Sequence, residues 1–152
     1  MRALFSCVFQ VAALALALVA PLSSVRAQSA PASTAVPQGG QVSAGTATLQ
    51  QTGTPTNPLL LITQSSDRAV INWQSFNLGR DAQIQFQQPN AGSVTLNRVI
   101  SSDPSQIFGR ISSNGQIYLI NPNGVLFSPS ARVDVGGLVA TTHALSDYDF
   151  MA

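Results

Sequence analysis

Short apolar alternations separated by turn residues constrain this chain most. After Gly45, apolar residues recur at alternate positions in very brief runs, and residues such as Asn, Gly and Pro follow each run. The runs are Val70-Ile71-x-Trp73, Ile84-x-Phe86, Val94-x-Leu96, Ile117-x-Leu119, Val133-x-Val135 and Leu138-Val139. No helical period follows residue 45, and helix-forming Lys and Glu are absent. The sequence therefore predicts an all-β fold.

Two all-β architectures are compatible with such short strands. A sandwich or barrel would pair them as hairpins, and residues 109–120 around Ser113-Asn114-Gly115 could form one. A parallel β-helix would instead stack them as coils, with Asn or Gly at the corners. Asn97 and Asn121 each follow an apolar run about one coil apart, so a β-helix predicts that they stack as a hydrogen-bonded ladder. On the residues alone, both architectures remain open.

The amino-terminal residues 1–27 have the pattern of a secretory signal peptide. Arg2 supplies a positive start, residues 8–22 are almost wholly apolar, and Val25-Arg26-Ala27 is a small-x-small cleavage site. The apolar run is shorter than the ~20 residues of a membrane span. We therefore expect export through the Sec machinery and cleavage after Ala27.

Removal of the signal peptide changes the chemistry of the chain. Its one cysteine, Cys7, lies inside the signal, so the mature chain can form no disulfide. The mature chain is nearly neutral and slightly acidic, which argues against binding to nucleic acid or anionic lipid. Residues 28–44 are rich in Ala, Pro, Ser and Gly and predict a disordered leader or linker. Residues 45–152 then form one domain.

Catalytic and metal-binding patterns are weak. His143 is the one histidine, and although Ser146, Asp147 and Asp149 lie close by in sequence, nothing resembles a nucleophile elbow. A single histidine without a mature cysteine cannot supply a closed zinc site. We expect no catalytic residue, no metal and no cofactor.

A carbohydrate-binding or carbohydrate-cleaving β-helix is the alternative function. A lyase would need acidic and basic side chains on one face, and Asp103, Arg110 and Asp134 are candidates, but they share no coil position. Trp73, Phe76 and Phe86 fit better as buried core or cap residues than as a surface for stacking a ligand.

Asn121-Pro122-Asn123-Gly124 is a compact turn signature between two apolar runs. Pro122 presets its own φ, Asn121 can bond its own backbone, and Asn123-Gly124 tolerate positive φ. The tetrad predicts a sharp corner with positive φ at Gly124. By itself, it indicates nothing about function.

Together with its neighbours, the tetrad resembles a known family. The further blocks are Val70-Ile71-Asn72-Trp73-Gln74-Ser75-Phe76-Asn77-Leu78-Gly79, Ile84-Gln85-Phe86-Gln87-Gln88-Pro89, Leu96-Asn97-Arg98-Val99 and Gly137-Leu138-Val139-Ala140-Thr141-Thr142. In this order they resemble the amino-terminal two-partner secretion domain of filamentous haemagglutinin-type exoproteins of Gram-negative bacteria. The resemblance covers roughly Gly45 to Ala152.

The resemblance implies a right-handed parallel β-helix with an amino-terminal cap and extra-helical hairpins. It also implies a non-enzymatic secretion-targeting and folding-nucleation domain of a large adhesin, haemolysin or contact-dependent toxin. The expected partner is an outer-membrane β-barrel transporter with POTRA-type periplasmic domains. The expected destination is the cell surface or the medium, reached through the periplasm.

Two further expectations concern the limits of the chain and its recognition residues. The chain is expected to be a fragment or truncated member, incomplete at its carboxyl end, with host glycans or receptors bound through downstream regions. The candidate residues for partner recognition or structure are Asn97, Arg98, Asn121, Pro122, Asn123 and Gly124. Arg98 is expected to bind corner carbonyls and staple two coils, or to form part of the surface that the exporter reads.

Overall fold

The structure is a computed structural model that describes residues 29–152. The predicted signal peptide therefore lies outside the described residues. The elements, in chain order, are β1 (Gln41–Ala44), β2 (Ala47–Thr54), β3 (Asn57–Gln64), β4 (Arg68–Trp73), β5 (Gln83–Gln87), β6 (Val94–Val99), β7 (Ser105–Ile107), β8 (Arg110–Ser113), β9 (Gln116–Ile120), β10 (Val125–Phe127), β11 (Arg132–Asp134), β12 (Gly137–Thr141) and α1 (Asp147–Met151).

The strands stack as coils of a parallel β-solenoid with about four turns. One side contains β4, β6, β9 and β12, the second contains β3, β5, β8 and β11, and the third contains β7 and β10, with parallel pairing between successive coils. The chain passes from the second side to the first and then to the third before it begins the next coil. The predicted all-β parallel helix is confirmed.

The hairpin considered for residues 109–120 does not form. β8 and β9 flank Asn114-Gly115 but belong to different sheets, and each pairs in parallel with the coils next to it. The turn is therefore a corner between two sides of the solenoid.

Antiparallel strands cover the amino-terminal end. β1 pairs with β4, and β2 pairs with β3 in a hairpin whose register runs from Ala47–Gln64 to Thr54–Asn57. These strands occupy the sheet edges that the first coil would otherwise expose, and open edges promote unwanted pairing. The predicted amino-terminal cap is therefore present.

The prediction of a disordered leader at residues 28–44 is wrong for the described part, 29–44. This segment contains β1, and Val36 is 5% exposed within the apolar core. The backbone of Gln38 also exchanges hydrogen bonds with Gln74 and Ser75. The composition suggested disorder, but the end of a solenoid must be covered, and these residues cover it.

The core is a column of inward-facing side chains. Successive side chains of each strand point alternately into the solenoid and away from it. The largest fully buried side chains of this column are Trp73, Phe76, Phe86, Ile62, Ile71, Leu78, Ile84, Ile107, Ile111, Ile117 and Leu119. Trp73 and Phe76 pack edge to face, with ring centroids 5.5 Å apart. The predicted core role of Trp73, Phe76 and Phe86 is confirmed.

One helical turn, α1, follows β12, although the sequence pattern predicted no helix there. Ser146 caps α1, since its hydroxyl oxygen accepts a hydrogen bond from the Asp149 backbone N–H at 3.1 Å. Between residues 29 and 152, no helix is long and apolar enough to cross a membrane.

Candidate functional site

The Asn121–Gly124 corner connects β9 to β10. The Gly124 N–H donates to the Asn121 carbonyl at 2.9 Å, and the Asn123 N–H donates to the Asn121 side-chain Oδ1 at 2.9 Å. Gly124 has φ +108°, which an L residue rarely adopts. The predicted turn and the positive φ of Gly124 are therefore confirmed.

Asn121 also ties its corner to the preceding coil. Its fully buried side-chain amide donates to the Asp103 carbonyl at 3.0 Å and to Ser105 Oγ at 2.9 Å. Beside it, Asn123 is exposed and donates through Nδ2 to the Ser101 carbonyl at 2.9 Å. Two asparagines of one turn thus hold the loop before β7.

Asn97 has a different role, in the middle of β6. Its Oδ1 accepts a hydrogen bond from the Trp73 indole N–H at 3.0 Å, and its Nδ2 donates to the Tyr118 carbonyl at 3.3 Å. Its side chain is fully buried, so these bonds satisfy polar atoms that water cannot reach.

The predicted Asn97–Asn121 ladder is wrong. The register of β6 and β9 pairs Asn97 with Leu119, two positions before Asn121. The two asparagines therefore point into the same interior at different levels of the sheet, and each finds its own partners. One coil of this sheet takes 22 residues, from Asn97 to its register partner Leu119, whereas Asn121 comes 24 residues after Asn97 and so reaches a different coil position.

Arg98 lies on the outer face of β6 and contacts three groups. Its guanidinium donates to Asn72 Oδ1 of the preceding coil at 3.2 Å and to the Leu145 carbonyl at 2.5 Å. It also lies 2.6 Å from Asp147 Oδ1, where the geometry fits an ion pair better than a directed hydrogen bond. Arg98 does join two coils, and the carbonyl that it binds belongs to the segment before α1.

The environment of Asp147 favours its ionised form. Burial opposes ionisation, but Arg98 and the Ser43 hydroxyl, which donates to Oδ2 at 3.0 Å, outweigh that effect. The pKa of Asp147 therefore lies below its ordinary value.

The six candidate residues do not form one pocket. Arg98 pairs in register with Ile120, so the two groups of residues lie at neighbouring positions of the same sheet. However, Asn97 and Asn121 point inward, Arg98 points outward, and Pro122 and Asn123 are exposed at the corner. The side chains of Asn97, Arg98, Asn121 and Asn123 form hydrogen bonds that connect neighbouring coils.

Sequence reasoning missed a second buried polar cluster, at the corner between the second and first sides. Thr95 donates to Gln64 Oε1 at 2.5 Å, Gln88 donates to Thr95 Oγ1 at 3.0 Å, and Ser113 donates to Gln88 Oε1 at 2.5 Å. This chain of hydrogen bonds connects three coils. Gln64 is the last residue of β3, and Gln88 directly follows β5 in the next coil. The recurrence of glutamine at this corner was the available signal.

The residues considered for catalysis do not assemble a reaction centre. The Ser146 hydroxyl caps α1 and bonds to Asp149, whereas His143 is exposed in the loop before it. Asp103 lies in the loop before β7, whereas Arg110 and Asp134 lie on β8 and β11, which are neighbouring strands of the second side. No group of three or more potential metal ligands occurs among residues 29–152.

Fold and site together define a capped parallel β-solenoid whose buried amides and outer arginine hold its coils in register. The family model of the TPS secretion domain matches residues 27–152. The chain belongs to this family.

Similar proteins agree with this assignment. The chain is 45% identical over 101 residues to a heme/hemopexin-binding protein of Haemophilus influenzae, covering 66% of the chain and 11% of the relative. A second such protein, from H. influenzae strain ATCC 51907, is 40% identical over 110 residues, covering 72% and 12%. The HMW1 secretion domain of H. influenzae, solved by crystallography, superposes with a TM-score of 0.69 at 38% identity, covering 76% of this chain and 30% of that one.

The function follows from this membership. The chain is a secretion domain of two-partner secretion exoproteins, which are secreted across the outer membrane of Gram-negative bacteria with a partner outer-membrane transporter. The family is non-enzymatic. The chain spans about an eighth or less of the length of the curated relatives it matches.

Proposed function

We propose that the partner transporter reads this domain before it folds, through Asn97-Arg98 and the Asn121–Gly124 turn. Burial of these side chains in the folded domain supports the proposal. In the folded domain Asn97 and Asn121 are 0% exposed, and Arg98 is engaged by Leu145 and Asp147. A partner that recognises these side chains must therefore meet them in the unfolded chain.

The mode of recognition is strand addition to POTRA-type periplasmic domains. An extended segment such as Leu96-Asn97-Arg98-Val99 supplies backbone hydrogen bonds to an open sheet edge, and its alternate side chains supply specificity. The same residues then direct folding once the segment has left the transporter. One short sequence thus serves recognition first and structure afterwards.

Binding of the unfolded mature chain to the partner's purified periplasmic domains tests this proposal. Arg98→Ala and Asn123→Ala should each weaken binding about tenfold, the effect of losing roughly 1.4 kcal/mol. Arg132→Ala and Asn57→Ala are matched controls outside the recognised segments, and they should bind like the wild type. Equal affinity of all five chains would confine Arg98 and Asn123 to a folding role.

The route begins with residues 1–27 as a signal peptide for the Sec machinery, followed by passage through the periplasm. Release from the partner then places the protein at the cell surface or in the medium. Downstream regions of the exoprotein would carry adhesin, haemolysin or contact-dependent toxin activity and would contact host glycans or receptors. This domain itself catalyses no reaction.

Folding outside the cell supplies a direction for this export. Arg110 pairs with Arg132 in the next coil, so one coil takes about 22 residues. At ~0.05–0.15 kcal/mol of net stability per residue, each coil contributes roughly 1–3 kcal/mol. This is enough to bias diffusion of the chain through the pore without nucleotide hydrolysis.

A further inference from the structure

The outer face of the first side carries an apolar groove. Val70, Leu96 and Ile120 come from three successive coils and point away from the solenoid interior, yet they are only 0–2% exposed. They form an apolar cluster separate from the inner column. An outer face this well buried must be covered by something.

Residues 145–151, here called the terminal clasp, cover this groove. Phe150 is 6% exposed and packs in one cluster with the three groove residues, with its ring centroid 5.9 Å from that of Tyr118. Leu145 packs against the same cluster. The clasp is amphipathic, since Tyr148 on the same helical turn is 83% exposed.

Polar contacts fix the clasp at both ends. Arg98 binds the Leu145 carbonyl and Asp147, and Ser43 of β1 donates to Asp147. At the other end the Arg68 guanidinium donates to the Phe150 carbonyl and lies 6.0 Å from the Phe150 ring centroid. The clasp therefore spans the cap strand β1 and the coil strands β4 and β6.

These contacts join distant parts of the chain. Ser43 and Asp147 are 104 residues apart, and Arg68 and Phe150 are 82 apart. The groove itself exists only when β4, β6 and β9 lie side by side, because each strand supplies one apolar residue. The clasp thus has nothing to bind until these coils have stacked.

We propose that the terminal clasp is a separate locking element, which docks onto the finished coils and determines how slowly the domain unfolds. An element absent from the folding transition state changes the unfolding rate and leaves the folding rate almost unaltered. The proposal concerns the isolated domain and does not depend on how the transporter recognises the chain.

Folding and unfolding rates of the purified mature chain in denaturant test this. Phe150→Ala should raise the unfolding rate at least about tenfold while the folding rate stays within about twofold. Asp147→Asn, a milder change at the polar end, should raise the unfolding rate about two- to fivefold with the same folding rate. Tyr148→Ala is the matched control on the exposed side of the same turn and should change neither rate.

Two other results for the rates overturn the proposal. A folding rate that falls in step with stability would place the clasp in the folding nucleus. Unchanged rates in both Phe150→Ala and Asp147→Asn would mean that the clasp locks nothing. If Phe150→Ala does not fold at all, the rates of Asp147→Asn decide between these outcomes.

Discussion

Asn97 and Asn121 illustrate how one residue type serves two purposes in neighbouring coils. Asn97 orients the Trp73 indole within the core, whereas Asn121 closes a turn and holds the preceding loop. Both side chains are fully buried, so their polar atoms need partners inside the protein. At the residue scale, the solenoid depends on such individually fitted amides.

The Gly124 conformation gives a prediction at the same scale. Gly124→Val should destabilise the domain by about 1–2 kcal/mol, because a Cβ is unfavourable at positive φ. The cost is conformational, since the nearest atom to a new Cβ is Pro104 Cβ, 3.9 Å away. Thermal unfolding of the purified domain measures it.

Gly137→Val is the control for this substitution. Gly137 begins β12 without a positive φ, and its new Cβ would meet only the Gln116 side chain at 3.5 Å or more. This control should unfold at the wild-type temperature or slightly above it. A Gly124→Val domain that melts with the control would show that the corner tolerates a side chain.

At the scale of elements, α1 and β6 are joined by a titratable contact. Asp147 has a lowered pKa in the folded protein because Arg98 and Ser43 favour its carboxylate despite burial. For a carboxylate of this kind, the stabilisation is present above the unfolded pKa and is lost as the pH falls through the folded pKa. The contact should therefore contribute fully near neutral pH.

This gives a prediction about acid stability. As the pH falls from about 5 to below the ordinary pKa of 3.8, the wild type should lose the stability that Asp147 provides. Asp147→Asn should be less stable than the wild type at pH 7, and it should lose less stability as the pH falls over the same range. Urea unfolding across the pH series checks it, and parallel curves for the two proteins would contradict the role of Asp147.

At the scale of the whole molecule, the proposed export passes the chain through a narrow pore, which requires its coils to separate completely. A cross-link between adjacent coils should therefore obstruct export. Ser112 of β8 and Asp134 of β11 are register partners on the outer face. Neighbouring strands lie about 4.8 Å apart, which suits a disulfide.

The double variant Ser112→Cys with Asp134→Cys should be exported poorly under oxidising conditions. Added reductant should restore export, because only the covalent loop prevents threading. Each single-cysteine variant is a control and should be exported normally. Equal export of the double variant with and without reductant, once its disulfide is shown to form, would contradict threading of the separated chain.

Much of the fold could be predicted from local patterns. The two-residue alternation identified β4, β5, β6, β9, β11 and β12, although it missed strands such as β2, β3 and β7. The tetrad Asn121–Gly124 identified the corner after β9. Both signals depend on neighbouring residues alone. The coil register could not be predicted, since it depends on how many residues each corner absorbs. The Asn97–Asn121 ladder failed for that reason.

Residues 29–44 and the clasp show the same limit. Residues 29–44 have the composition of a linker, and residues 145–151 lack a helical pattern long enough to detect. Both segments pack against surfaces that residues distant in the sequence form together. By itself, the sequence determined about half of the described strands, the corner after β9 and the family resemblance. Only the tertiary structure decided which side chains meet across coils, because those contacts exist only after the coils have stacked.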